Sequence, residues 1–182
     1  MSTLKVSTIS PLGTDATKTI TIGSASNGDV AAGVFTNVPA FLADNGSTDQ
    51  TISDQTTTKV DFGTTIYDTD NAFSSSKFTV PSNKGGKYFF FYSIDFLNTS
   101  DDTKVFDVRV YKNGSDITFH HTFNGNTNAN LRRNTAFFSS VFNLLPDDYI
   151  ELYFRGDSVG GSSFSIKSDN LTYFGGYRLI GA

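Results

Sequence analysis

The chain contains no cysteine and no tryptophan, a single methionine, a single glutamate (Glu151) and four prolines. Lacking cysteine, it has no disulfide staple, thiolate metal site or cysteine nucleophile, so packing alone must hold the fold. Basic residues are also scarce: Lys and Arg number 14 against 18 Asp plus Glu, a net charge of −4. A nucleic-acid surface needs clustered Lys and Arg to neutralise phosphates, which excludes that partner class. No run of 18 apolar residues occurs, so no membrane helix is expected. The opening Met1–Thr8 has no long apolar stretch and carries Ser2 where a myristoylation signal needs glycine, so the chain is expected to be soluble when made.

What is present points to strands. Ala, Glu, Leu, Met and Gln together number 24, whereas Val, Ile, Phe, Tyr and Thr number 70. The first group builds helices and the second fills pleated, half-buried surfaces. An excess of Asp, Asn, Gly and Ser supplies turns between many short strands, so the expected class is all-β, two packed sheets.

Residues 1–38 differ from the rest. They contain two aromatic-free apolar alternations, Leu4 with Val6 and Ile20 with Ile22, set among Ser, Thr, Gly and Ala, with Phe35 the first aromatic residue. Such a segment cannot build a core, and it is expected to be an extended docking arm that adds strands to other proteins through those four residues. The composition shifts at Val38-Pro39-Ala40-Phe41, which places the globular domain at 39–182.

From residue 40 the period-2 pattern predicts strands over 40–44, 57–62, 77–81, 87–97, 104–112, 116–123, 135–144, 147–155 and 171–180. Turns are expected at Asn113-Gly114, Asn124-Gly125, Pro146-Asp147 and Gly160-Gly161. In 105–111, Phe106, Val108 and Val110 alternate with Asp107 and Arg109, an ordinary strand with one wet face. The segment 88–97 is apolar on both faces: Tyr88, Phe90, Tyr92, Ile94 and Phe96 on one, Phe89, Phe91 and Leu97 on the other. Only one set can enter a single core. The segment 149–154 repeats the problem, with Tyr149 and Tyr153 opposite Ile150, Leu152 and Phe154. No spare element exists to form a third layer, so a subunit interface is expected, with Tyr88, Phe90, Tyr92, Tyr149 and Tyr153 as its assigned residues.

The run Phe62, Asp68, Phe73, Val80, Gly86, Tyr88, Phe90 and Tyr92 keeps the spacing of a family signature, with Val80 where that pattern has Phe. It resembles the jelly-roll superfamily of complement globular heads and tumour necrosis factors, and the closing Phe174-Gly175-Gly176-Tyr177-Arg178-Leu179 is similar to that family's last strand. The resemblance covers about 39–182. It implies a ten-stranded jelly roll packed as a tight homotrimer. The opening Ser2–Ile9 and the closing Phe174–Arg178 further resemble short structural proteins of phage virions. The expected function is therefore a homotrimeric tail fibre, head fibre, knob or decoration protein on a bacteriophage particle, docked by its arm, made in the host cytoplasm and exposed on the virion. A bacterial or secreted lectin-like adhesin is the alternative.

Catalytic patterns are lacking: no G-x-S-x-G elbow, no H-E-x-x-H, no phosphate loop. His120 and His121 are adjacent on a strand and point apart, so they cannot act as one pair. No enzyme activity, cofactor or metal is expected; the acids at Asp68–Asn71, Asp101-Asp102 and Asp147-Asp148 lack calcium-loop spacing. The polar stretch 124–134 holds the chain's only adjacent arginines, Arg132 and Arg133. Their planar donors suit acidic sugars or phosphates, making them candidate residues for contact with a host-surface glycan; the competing expectation is that they pair with aspartates.

Overall fold

Alternation from residue 40 onward resolves into strands in the structure, a computed structural model that describes residues 38–99, 102–124 and 131–179, leaving aside the side chains of 118–121 and 124. The described strands are β1 (Ala40–Asp44), β2 (Gln50–Ile52), β3 (Thr58–Lys59), β4 (Thr64–Asp68), β5 (Phe73–Ser74), β6 (Lys77–Thr79) and β7 (Gly86–Asn98). They continue with β8 (Thr103–Lys112), β9 (Ser115–Asn124), β10 (Arg133–Leu144), β11 (Tyr149–Ser158), β12 (Phe164–Ile166) and β13 (Tyr173–Arg178). The arm residues Leu4, Val6, Ile20 and Ile22 lie outside the described residues.

Two antiparallel sheets form a jelly-roll sandwich. One runs β2-β12-β7-β13-β1-β4, with β10 on the remaining edge of β7; the other runs β5-β6-β11-β8-β9, with β3 also on β11. The 13-residue β7 organises the first sheet. It pairs with β10 from Leu97↔Arg133 to Gly86↔Leu144 and with β13 from Ser93↔Tyr173 to Tyr88↔Arg178. The first and last described strands meet there too, since β1 pairs with β13 from Ala40↔Tyr177 to Asp44↔Tyr173.

Between the sheets lies a core built mainly of phenylalanine. Phe41 stacks on Phe73 and Phe78 at 4.8 and 4.9 Å and meets Phe174 edge-on at 5.0 Å. Towards the other end of β7, Phe96 packs on Phe106 at 4.6 Å and Phe154 at 5.0 Å. Aromatic pairs in these geometries add to the area they bury.

The inward face of β7 is the even-numbered one: Tyr88, Phe90, Tyr92, Ile94 and Phe96 are all buried. This corrects the assignment of Tyr88, Phe90 and Tyr92 to an interface. Tyrosine can go inside when its hydroxyl is satisfied, and Tyr88 Oη donates to the Lys84 carbonyl at 2.5 Å. The Tyr92 hydroxyl is buried with no such partner, and burial pushes its ionisation far above that of an ordinary phenol. Asp107, expected to face water, is buried beneath Arg109 at 2.9 Å and Thr122 at 2.8 Å.

The signature residues are architectural. Phe62, Phe73, Val80, Tyr88, Phe90 and Tyr92 are core. Asp68 accepts from the backbone amides of Asp70, Ala72 and Phe73, folding the turn into β5.

One polar node ties two turns together. Asn113-Gly114, both at positive φ (53° and 76°), form the two-residue hairpin between β8 and β9. Asn113 donates to Asp148 at 2.7 Å and accepts the Tyr149 amide at 2.8 Å, so the hairpin is bound to the β10–β11 turn. Burial works to raise the Asp148 carboxyl, but hydrogen bonds from Lys112, Asn113 and the Leu145 amide outweigh it and hold the group at about 2 rather than 3.8. A depressed carboxylate contributes stability above its unfolded pKa and loses it as pH falls through the folded one. Asp148→Asn is therefore expected to cost on the order of 1–2 kcal/mol at neutral pH. The gap from wild type should close between about pH 4 and pH 2; urea unfolding across that range measures both effects.

Candidate assembly surface

Because alternate residues of a strand face opposite ways, the register that buries the even side chains of β7 turns its odd ones outward. Phe89 lies opposite Tyr177 and Val141, Phe91 opposite Gly175 and Ser139, and Ser93 opposite Tyr173 and Phe137. β1 extends the face with Leu42, opposite Gly175 on one side and Tyr67 on the other. The result is one apolar face across the seven-stranded sheet. Among its members Phe137 is 69% exposed, Ile66 54% and Val141 47%, while Leu42, Phe89, Phe91, Tyr173 and Tyr177 are half-buried by one another.

Two glycines let these rings lie down. A Cβ on Gly175 would meet the Phe91 ring at 2.6 Å on the outer side, and one on Gly176 would meet Phe90 at 2.5 Å on the inner side. The Gly175-Gly176 pair thus admits one ring to the face and one to the core. Phe91 and Tyr173, 6.2 Å apart and nearly edge-on, form a ridge. On one flank is a groove of about 450 Å³ lined by Leu42, Asp44, Ile66 and Asn170 with the ridge. On the other is a groove of about 420 Å³ bordered by Phe137, Phe138 and Ser139.

The assigned interface residues Tyr149 and Tyr153 are elsewhere, on the outer face of the other sheet, and so cannot join Tyr88, Phe90 and Tyr92 in one surface. The face they occupy is polar and internally paired. Tyr153 packs on Tyr111 with ring centroids 4.1 Å apart, Lys77 lies 4.6 Å over the Tyr149 ring, Lys59 bridges Glu151 at 2.8 Å, and Arg109 reaches Asp116 at 3.5 Å.

Arg132 and Arg133 flank the start of β10, and both are engaged within the chain. Arg132 donates to the Thr99 carbonyl at 2.8 Å. Arg133 forks onto Asp95, with Nε at 3.0 Å and Nη2 at 2.5 Å, and bridges to Asp169 at 2.7 Å. The hydrogen bond to Asp95 holds the guanidinium more firmly charged. The Asp95 carboxylate, 1% exposed, also accepts from Thr135. Burial raises the Asp169 carboxyl, the Leu171 amide opposes that rise, and nearby Asp95 reinforces it. The arginine thus compensates two acids at the rim of the apolar face through its Nε and Nη2 donors. Side chains of His120 and His121 lie outside the described set; their backbones pair with Arg109 and Val108. Among the described residues no cluster of three or more His, Cys, Asp or Glu could hold a metal ion.

No family model matches the chain, and no curated protein matches it in sequence. Solved structures match it in fold. Murine APRIL aligns over 77% of this chain and 98% of its own, with TM-score 0.55 and 14% identity. The globular domain of zebrafish complement 1qA protein aligns over 78% and 98%, with TM-score 0.52 and 15% identity. Eiger TNF from S. frugiperda aligns over 79% and 93%, with TM-score 0.51 and 16% identity. The chain has the tumour necrosis factor and complement-head jelly-roll fold. At these identities the likeness is one of architecture, and function has to be argued from the surface.

Arg133→Ala should lower the thermal unfolding midpoint, because a buried carboxylate loses its compensating charge. Adding Asp95→Asn to that variant should recover part of the loss. Calorimetry of the two variants measures it; a midpoint unchanged by Arg133→Ala would contradict the structural role.

Proposed function

We propose that this chain is a non-enzymatic assembly protein, a homotrimer built through the outer face of its seven-stranded sheet. The observation that carries the reading is that face itself. It is a continuous apolar patch around Phe91, Tyr173, Phe137, Val141, Leu42 and Ile66, with no covering layer among the described residues. Large contiguous apolar patches mark sites of association. The threefold state is supported by the resemblance of the 62–92 signature to a family of homotrimers, and the fold likeness is consistent with it. A bacteriophage particle is the setting we favour, with the jelly roll outward as a fibre, knob or decoration protein and residues 1–38 as the docking arm. Support for that setting comes from sequence: the Ser2–Ile9 opening and the Phe174–Arg178 close.

An obligate interface should bury more than roughly 800 Å² per subunit. Sedimentation velocity at micromolar concentration is expected to give a three-subunit species. Val141→Asp, at an exposed position of the face, should yield a folded protein whose trimer dissociates at a concentration at least tenfold higher, about 2.8 kcal/mol of association free energy per trimer because its dissociation constant goes as the square of that concentration. A folded wild-type monomer would end the assembly reading. For the setting, deletion of 1–38 should leave trimers that no longer join phage particles, scored by immunoelectron microscopy. Particles that still incorporate the shortened chain would exclude the arm as anchor.

A further inference from the structure

We infer that Tyr111 and Tyr153 are a site of oxidative cross-linking, where a one-electron oxidant joins the two rings through a carbon–carbon bond and so fastens β8 to β11. Composition directs oxidising equivalents to tyrosine. Cysteine and tryptophan are absent and Met1 is the sole methionine, so the eight tyrosines remain as the readily oxidised side chains. Among the described residues only one pair of tyrosine rings meets. Tyr111 stands opposite Glu151 and Tyr153 opposite Arg109, which makes the two tyrosines diagonal neighbours on one face of the sheet. Their ring centroids are 4.1 Å apart with 33° between the planes. Ordinary aromatic pairs sit roughly 4.5–7 Å apart, so these rings are in contact. Both are half-buried, which leaves an edge open to a small oxidant while hindering a second chain from reaching either ring.

The other tyrosines lack these conditions. Tyr88 and Tyr92 are enclosed in the core, and Tyr173 and Tyr177 pack on phenylalanines. Tyr149 shares the face, but Lys77 lies 4.6 Å over its ring, and a cation there opposes the positive charge that electron loss leaves. Oxidation of a neutral phenol sheds a proton together with the electron. Burial holds the Tyr153 phenol above its ordinary value, and the charge and hydrogen bond of Glu151 add to the rise, so the species oxidised is the phenol. Glu151 is then the acceptor for the departing proton. Lys59 fixes that carboxylate at 2.8 Å and is itself held by the Ser75 carbonyl at 2.6 Å. Each ring gives one electron to the oxidant and one hydroxyl proton, from Tyr153 to Glu151 and from Tyr111 to water. The two phenoxyl radicals couple between ring carbons ortho to oxygen, and the hydrogen on each coupled carbon passes to an oxygen, restoring two phenols. The net loss is two electrons and two protons, which hydrogen peroxide acting through a haem peroxidase takes up to give two waters. The link closes the chain from 111 to 153 and constrains its unfolded state as a disulfide would, in a protein that has no cysteine.

In the dilute full chain, two equivalents of photogenerated tris(bipyridine)ruthenium(III) should give a product that runs as a single chain under denaturing electrophoresis, weighs two hydrogens less and shows dityrosine fluorescence. Peptide mapping should join Tyr111 to Tyr153, with a yield independent of protein concentration. Tyr111→Phe and Tyr153→Phe should each abolish that product, while Tyr149→Phe leaves it. Glu151→Gln should slow coupling severalfold, and added imidazole should restore the rate, a rescue that a packing role alone would not give. The coupled chain should unfold at a higher urea concentration than the untreated one. Links mapped to other tyrosines, products formed only between chains, or an undiminished yield in Tyr111→Phe would overturn the inference. A Glu151→Gln rate equal to wild type would overturn the proton-acceptor role, and an unchanged urea midpoint the fastening of β8 to β11. The link mapped in the wild-type chain needs no variant, so a substitution that fails to fold leaves the test decisive.

Discussion

The structure depends on the pleat of β7. Thirteen residues pair with β10 along one edge and with β13 along the other; the inner face carries Tyr88, Phe90, Tyr92, Ile94 and Phe96, and the outer face Phe89, Phe91 and Leu97. With period 2, a one-residue slip would exchange the faces wholesale. The register is therefore fixed from both sides at once. Phe90 and Phe96 each enter an aromatic cluster of the core, and Phe91 lies in the clearing left by Gly175. The same backbone thus commits one row of rings to the core and turns the other to the outer face of the sheet.

Polar groups confine the apolar face rather than build it. Asp95 and Ser93 sit on the outer side of β7 yet are buried, because β10 delivers Arg133 and Thr135 against the carboxylate. Near the same rim Asp49 is held far below the usual carboxylate range, first by Lys167 and then by the amide and hydroxyl of Ser168 and the hydroxyl of Ser165. Charge-assisted contacts of this kind are directional, and they end the apolar patch at a defined boundary. The opposite sheet is finished differently, with Tyr111, Tyr153, Lys59 and Glu151 paired in place, which leaves little there to drive association.

Alternation in the sequence was enough to locate β1, β7, β8, β10 and β11 and the Asn113-Gly114 hairpin. It could not show β2, β4, β5 or β12. These are two to five residues long, and Thr64–Ile66-Tyr67 is exposed throughout, so no inward row exists to betray a strand. Apolar character on both sides of 88–97 showed in the sequence as two rows, but period alone does not say which row faces in. Tyrosine content favoured the row of Tyr88, Phe90 and Tyr92 as the interface, and the hydrogen bond of Tyr88 to the Lys84 carbonyl removed that argument for Tyr88. The sharper signal was Gly175-Gly176. A strand bearing two adjacent glycines between aromatic neighbours makes room for rings on both faces, and the ring it makes room for outside is Phe91. The exposed members Phe137, Val141 and Ile66 were legible as apolar residues but not as one surface, since only the order of the sheet brings them to a common face.

The pairing of β1 with β13 has a consequence for how the chain is made. The ladder from Ala40↔Tyr177 to Asp44↔Tyr173 cannot form until synthesis has passed the last strand. At ribosomal speeds of about 5–20 residues per second, β7 leaves the polymerisation site roughly 4–16 s before its partner β13 does. During that interval a strand that is greasy on both sides can pair only with β10 and, at its far end, with the short β12. The nascent chain carries its stickiest segment early and its closing strand late, so its yield in a cell should be governed by how well that interval is shielded.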